Sequence, residues 1–321
     1  MTEQRRILIT GALGVIGRKL CRFLENKYPD ALIHRSDLMT IDDPLYVKGD
    51  ISSYSEMEYL FRVVEPDLVF HLAAEVGRYN SENYHFKCIG NNVMGALNVA
   101  IQCAKWNSKL IYSSTSEIYG ENSLKKGLGS SETDPVEPIN FYGMTKWQSE
   151  EVFNYYAKQY GLDVMIYRIF NAFGPGEYPN FYRSMVTNSI YDVLHGNTIH
   201  VHKECARAWA YFDDVIEGLA IPMRDFRAGE VYNLGTGYKE LFTIKKLVEM
   251  ICEIAKKDPD KIIKLEERGP FDVAVKFPDV YKMEHDFGFK CKWTTYDGLK
   301  KTVAWHKALY ASGWTKKKVL I

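Results

Sequence analysis

The chain has 321 residues, long enough for one large or two modest domains, each with a core of its own. Its 46% hydrophobic and 26% charged residues are those of an ordinary globular protein, and Lys plus Arg balance Asp plus Glu to a formal net charge of zero. That balance gives no reason to expect a nucleic-acid or anionic-membrane partner and leaves room only for a local basic pocket.

No run approaches the ~18 apolar residues of a membrane span. Met1 to Arg6 lead into a short strand instead of the longer apolar stretch of a signal peptide, so the expectation is a cytoplasmic protein. The six cysteines form no C-x-x-C pair and read as buried, reduced thiols.

Residues 6–10 are a β-branched run, predicted as a buried parallel strand. Gly11-Ala12-Leu13-Gly14-Val15-Ile16-Gly17 follows at once and opens a helical pattern. A second strand over 31–35 leads to Asp37. Glycines that permit a tight turn and close backbone approach, the amides of Val15 and Ile16 at a helix N-terminus, and a carboxylate some twenty residues on are what a dinucleotide site requires. Asp37 favours NAD over NADP, because it would repel the extra phosphate; Arg35 is the nearby cation that such a phosphate would use.

Residues 47–51 read as a further strand segment ending in Gly49-Asp50-Ile51. There Asp50 either bonds the adenine or caps the helix predicted over 54–64. The next strand, 67–74, ends in Leu72-Ala73-Ala74, small enough for a cofactor to approach. His71 within it reads as a satisfied core histidine. Residues 75–83, with Arg78, read as a loop, and 86–106 as a helix carrying Asn92.

Lys109-Leu110-Ile111-Tyr112 is a strand that breaks into Ser113-Ser114-Thr115-Ser116-Glu117, and residues 121–138 form a loop of exposed composition. In the helix predicted from Phe141 onward, Tyr142 and Lys146 are four apart and share a face, so one phenol and one ammonium enter one cleft. A strand over 162–169 ends in the abrupt turn Phe170 to Gly176, containing Asn171. Strands alternating with helices to this point predict an α/β protein with a doubly wound parallel sheet. Beyond it the spacing predicts a helix to about residue 194, a surface strand over 198–202 whose two histidines imply no metal, and strands near 207–212 and 231–234. A helix follows over 243–254.

Taken together, Thr10-Gly11-x-x-Gly14-x-x-Gly17, Asp37, Gly49-Asp50-Ile51, His71-Leu72-Ala73-Ala74, Asn92-x-x-Gly95-x-x-Asn98, Ser114-Thr115-x-Glu117-x-Tyr119-Gly120, Tyr142-x-x-x-Lys146, Arg168-x-x-Asn171-x-x-Gly174-Pro175-Gly176 and Asp213-Asp214-Val215 resemble the extended short-chain dehydrogenase/reductase family that modifies nucleotide sugars. The resemblance implies a Rossmann domain over 1–175, with 206–238 returning to it. It also implies a smaller C-terminal α/β substrate-binding region of 176–205 and 239–321, and a homodimer built on the helices around residues 92–106 and 141–160. NAD would contact Gly11, Gly14, Val15, Ile16, Gly17, Asp37, Asp50, Ile51, Leu72, Ala73, Ala74, Asn92, Ser113, Tyr142 and Lys146. The nucleotide-diphosphate sugar would meet Arg78, Asn171, Arg183, Arg207 and Lys276.

Thr115, Ser116, Glu117, Tyr142 and Lys146 carry the expected chemistry. Lys146 and a positively charged nicotinamide would lower the Tyr142 pKa, so that the phenolate takes the proton of the sugar 4-hydroxyl while hydride leaves C4. Thr115 would bond the same oxygen, and Glu117 would move a C5 proton of the resulting 4-ketone. Related 4,6-dehydratases usually carry Thr-Asp-Glu, where this chain has Thr115-Ser116-Glu117. Related UDP-glucuronate decarboxylases carry Thr-Ser-Glu together with an arginine, where this chain has Lys276. The reading is an epimerase/dehydratase. The alternatives are a nucleotide-uronic acid decarboxylase, an NAD(P)H-dependent keto-sugar reductase and an NAD-binding protein without turnover.

Overall fold

The computed structural model describes residues 4–180, 184–268 and 273–315. The first half of the chain runs β1 (Arg6–Thr10), α1 (Val15–Lys27), β2 (Leu32–Ser36), α2 (Tyr54–Val64), β3 (Leu68–His71), α3 (Arg78–Asn83) and α4 (His85–Cys88). A π-turn at Ile89–Met94 continues into α5 (Gly95–Trp106), then β4 (Lys109–Thr115), a 3-10 turn at Ser116–Tyr119, α6 (Asn122–Lys126), α7 (Phe141–Tyr160) and β5 (Val164–Ile169). The remainder comprises β6 (Ala172–Phe173), α8 (Met185–His195), β7 (Ile199–His202), β8 (Ala206–Ala208), β9 (Ala210–Tyr211), α9 (Phe212–Leu219) and β10 (Val231–Leu234). It closes with β11 (Leu241–Thr243), α10 (Ile244–Ala255), β12 (Ile263–Glu266), β13 (Val275–Lys276), α11 (Tyr281–Phe287) and α12 (Thr295–Ala311).

Two compact units interleave along this order: Met1–Ile118, Asn140–Arg168 and Ile216–Tyr232 form one, and Tyr119–Ile139, Ile169–Val215 and Asn233–Ile321 the other. A six-stranded parallel sheet in the order β10-β5-β4-β3-β1-β2 bears out the doubly wound α/β expectation. The chain steps from β1 outward to β2 and then back past β1 to β3. The order therefore reverses between β1 and β3, the switch point at whose carboxyl strand ends α/β sheets of this kind bind ligands. One face of the sheet is sealed by α2, α5 and α7, whose Met57, Leu60, Phe61, Val99, Cys103 and Phe153 pack with Leu8, Val69, Leu110 and Ile166 of the strands.

The glycines of the first turn are dictated by backbone packing. Gly11 has φ +69°, and a Cβ on it would lie 2.7 Å from the Ala73 nitrogen; a Cβ on Gly17 would lie 2.3 Å from the Gly11 oxygen. Because neither neighbour is a flexible side chain, Gly17→Ala is expected to lower unfolding stability by about 1–3 kcal/mol. Urea denaturation measures it, and an unchanged midpoint would show that the turn can open at no cost.

In the second unit β8 lies between β11, antiparallel, and β13, parallel, while β12 pairs with β7 and β6 with β9. Its own core gathers Val186, Ile190, Leu247, Ile251, Leu299 and Val303 from α8, α10 and α12. Among the described residues no helix is long and apolar enough to cross a membrane. All six cysteines are free, five of them buried and Cys291 partly so.

Four expectations need correction. Residues 47–51 form no strand: the Val47 amide bonds the Arg35 carbonyl and a single bridge joins Arg35 to Tyr46, so the edge of β2 is satisfied without a ladder. The cap of α2 is Ser53, which accepts from the Glu56 amide, whereas Asp50 accepts from the Ser52 amide and hydroxyl. Residues 78–83 form α3, where the side chains of Ser81 and Asn83 bond carbonyls four residues back in place of an apolar stripe. The stretch 121–138 also contains α6, and its Asn122, Ser123 and Ser130 are buried.

Two buried histidines give the fold an acid limit. Burial, reinforced at His71 by the nearby Lys146, pushes His71 down to about 3, and burial alone pushes His306 down to about 4. Both are neutral when folded but take up a proton near pH 6.5 once unfolded, so the unfolded chain binds more protons below that pH. Stability is therefore expected to be full above about pH 6.5 and to fall steadily toward pH 4. Urea midpoints across that window check this, and a flat profile would contradict it.

Candidate active site

β1 delivers the chain into the turn Gly11 to Gly14, and α1 begins with Gly14 as its cap, no side chain covering its first amides and no acidic residue in its first turn. The N–H groups of Val15, Ile16 and Gly17 thus open a helix that favours an anion. Asp37, just past β2, accepts from the Leu13 amide at 2.9 Å and the Leu38 amide at 2.8 Å, which locks its carboxylate onto the glycine turn. Arg35, the cation that a second phosphate would use, pairs with Glu25 and, at 3.0 Å, with Asp43. Ala73 lies across from Gly11, and its amide reaches the Thr10 hydroxyl, which also bonds His71 Nδ1 at 2.8 Å. A cradle that tolerates no Cβ, open helix amides and one fixed carboxylate fit a dinucleotide.

Other residues expected at the cofactor are placed as follows. Ile51 is buried, its carbonyl held by Asn98 and its side chain against Gly95. Asn92 is buried and fully employed: its Oδ1 accepts from the Glu75 amide, and its Nδ2 donates to the Glu75 carbonyl and to Thr145 Oγ1. It pins the segment after β3 to α7. Ser113 Oγ donates to the His71 carbonyl.

At the end of β4 the chain turns sharply into Ser116–Tyr119, and this puts Thr115 and Glu117 beside the first turn of α7. Thr115 is 8% exposed, and its hydroxyl accepts from the Glu117 amide at 3.3 Å. Asn140 caps α7, its Oδ1 accepting from the Gly143 amide at 2.8 Å while its Nδ2 donates to Glu117 Oε2 at 2.8 Å. One residue thus starts the helix that carries Tyr142 and holds the carboxylate next to it. Asn140 was not among the expected site residues; an Asn immediately before an amphipathic helix is the signal that marks it. Ser116 is buried.

The electrostatics differ from expectation at Tyr142. Burial and the adjacent Glu117 carboxylate push its phenol above the ordinary tyrosine range, only partly offset by the nearby Thr115 hydroxyl. Lys146, 2% exposed, is itself pushed down to about 7 by burial, with Glu150 opposing, and its Nζ sits 4.2 Å from the centre of the Tyr112 ring. With Lys146 itself pushed down, burial and the Glu117 carboxylate prevail at the phenol, and the chain alone keeps Tyr142 protonated.

The substrate candidates of the second unit also converge. Lys276, buried on β13, is in register with Arg207 on β8, and Asn171, at φ +35°, donates to the Ala208 carbonyl. The Arg207 guanidinium donates to the carbonyls of Ala206, Val273 and Ala274. Arg78 is exposed at the start of α3, Arg183 lies outside the described residues, and no cluster of metal-ligating side chains occurs among the described ones.

The model of the NAD dependent epimerase/dehydratase family matches residues 7–235. Over 322 residues the chain is 31% identical to the trifunctional UDP-glucose 4,6-dehydratase/UDP-4-keto-6-deoxy-D-glucose 3,5-epimerase/UDP-4-keto-L-rhamnose-reductase of Arabidopsis thaliana, covering 95% of this chain and 47% of that protein. It spans about half the length of that relative. Among solved structures it resembles the UDP-glucose 4-epimerase of Thermotoga maritima with UDP-glucose (TM-score 0.86, 28% identity, 95% of this chain and 99% of that one). It also resembles the dTDP-glucose 4,6-dehydratase of Streptomyces venezuelae with NAD bound (TM-score 0.86, 26% identity, 96% and 98%).

Proposed function

The chain belongs to the NAD dependent epimerase/dehydratase family and is an NAD-dependent enzyme, and from that premise we propose that it modifies a nucleotide-diphosphate sugar by way of a 4-ketone, as an epimerase or dehydratase. The observation that carries the reading is the grouping at the head of α7, which carries Tyr142 in its first turn: Thr115 bonded by the Glu117 amide, and the Glu117 carboxylate held by Asn140, the cap of that helix.

NAD, when bound, supplies the hydride acceptor and a positive charge near the phenol. Tyr142 takes the proton of the sugar 4-hydroxyl, with Thr115 bonding the same oxygen, as C4 gives up its hydride. The 4-ketone acidifies the neighbouring C5–H; Glu117 removes that proton and passes it to the C6 hydroxyl, which leaves as water before hydride returns to C6, or, where C5 keeps its proton, hydride returns to the other face of C4. Glu117 also keeps the phenol protonated until a positive charge arrives, which restricts base strength to the loaded site. Arg207 and Lys276 are the cations assigned to the nucleotide diphosphate and the sugar substituent. We assign the homodimer contact to the helices around Met94 and along α7, where Met94, Tyr155 and Tyr160 are exposed.

A second reading, decarboxylation of a nucleotide-linked uronic acid, is favoured by Ser116, whereas Lys276 stands where the related decarboxylases carry an arginine. Incubating the protein with UDP-, dTDP-, GDP- and CDP-linked sugars and uronic acids and weighing the products separates the two. Loss of water or an unchanged mass with altered retention supports the first, and loss of carbon dioxide the second. If no member of the panel reacts while NAD binds, the proposal fails.

A further inference from the structure

Glu150 follows Lys146 by four residues on α7, which places both side chains on the same buried face. Its carboxylate is gripped from β5 by Arg168, with Nη2 at 2.7 Å from Oε2 and Nε at 3.2 and 3.3 Å from the two oxygens, and the two side chains are 1% and 5% exposed. A buried ion pair is weak evidence for stability, because desolvation offsets much of the attraction. Here a positive group sits one turn from one member of the pair.

We propose that Glu150 and Arg168 are positioning residues for Lys146, the guanidinium on β5 fixing the carboxylate that stands one helical turn from the ammonium. The groups facing Lys146 are few. Tyr142 and Glu150 stand on its own helix, Tyr112 on β4 lies under the ammonium, His71 on β3 stacks on Tyr112 with ring centres 5.7 Å apart, and Arg168 on β5 reaches it only through Glu150. Tyr112 and His71 are neutral in the folded chain, since burial pushes the phenol up and the imidazole down. Glu150 is therefore the anion that tunes the lysine, and Arg168 decides how much of that charge Lys146 meets. A freer carboxylate would raise the Lys146 midpoint, and loss of the carboxylate would lower it.

The inference rests on the reading of Tyr142 and Lys146 as the reacting pair, and its test separates the two. In protein labelled with 13Cε-lysine, with Lys146→Met identifying the resonance, the Lys146 titration midpoint is followed in the native chain, Glu150→Gln and Arg168→Met. Glu150→Gln is expected to lower the midpoint by about one unit and Arg168→Met to raise it by about as much. Arg168→Lys should restore the native value. The pH profile of turnover should move in the same two directions. Where Arg168→Met does not fold, Glu150→Gln and Arg168→Lys still decide the matter. A midpoint unmoved in Glu150→Gln, with only turnover or stability lost, would make the pair structural and overturn the inference. Shifted midpoints in a protein that converts no nucleotide sugar would sustain it and sink the functional reading instead.

Discussion

Tyr142→Phe is expected to cut turnover of the nucleotide sugar by about 10²–10⁴-fold, the usual worth of a positioned general base. The ring fills the same space, so α7 and its Asn140 cap are unaffected, and NAD affinity should stay near that of the native chain. What is lost is the one oxygen proposed to meet the substrate hydroxyl. Steady-state turnover alongside NAD titration by tryptophan quenching makes the comparison. Ketone formation at the native rate in this variant would remove Tyr142 from the mechanism.

Glu117→Gln should divide the reaction in two. The amide oxygen can still accept from Asn140, so the turn keeps its shape, but it can no longer take a proton from C5. Hydride transfer is expected to survive while the step after it slows by about 10²–10⁴-fold, and reduced nicotinamide should accumulate. A second consequence follows from charge. The carboxylate now raises the Tyr142 pKa, so its removal should move the alkaline-favoured limb of hydride transfer to lower pH. Rapid-mixing absorbance at several pH values reads both effects. Equal slowing of the two steps would make Glu117 a structural residue.

Much of the fold was legible because its signals are local. A β-branched run, a glycine turn that admits no Cβ and an amphipathic helix follow each other in β1 and α1, and each requires only its own neighbours. The misses have physical causes. α12 escaped notice because its buried face is built from Thr295, Gly298, Thr302 and His306 as much as from Leu299 and Val303, so the sequence shows no apolar stripe. Residues 47–51 satisfy their backbone against β2 through isolated bonds that alternation cannot distinguish from a ladder. At the site, the residue types were readable but their charges were not. The expected lowering of the Tyr142 pKa assumed a fully charged Lys146, and only the three-dimensional packing reveals that the lysine is buried and that Glu117 stands beside the phenol. The Asn140–Glu117 and Glu150–Arg168 contacts join residues on separate elements and leave no spacing to detect.

The most direct test of a sugar oxidised in place is the absorbance of reduced nicotinamide after rapid mixing of the NAD-loaded protein with its nucleotide sugar. A signal that rises and decays within a single turnover, and that persists in Glu117→Gln, is the predicted result. Product formed with no reduced nicotinamide at any time, in the native chain and in Glu117→Gln alike, would contradict the account.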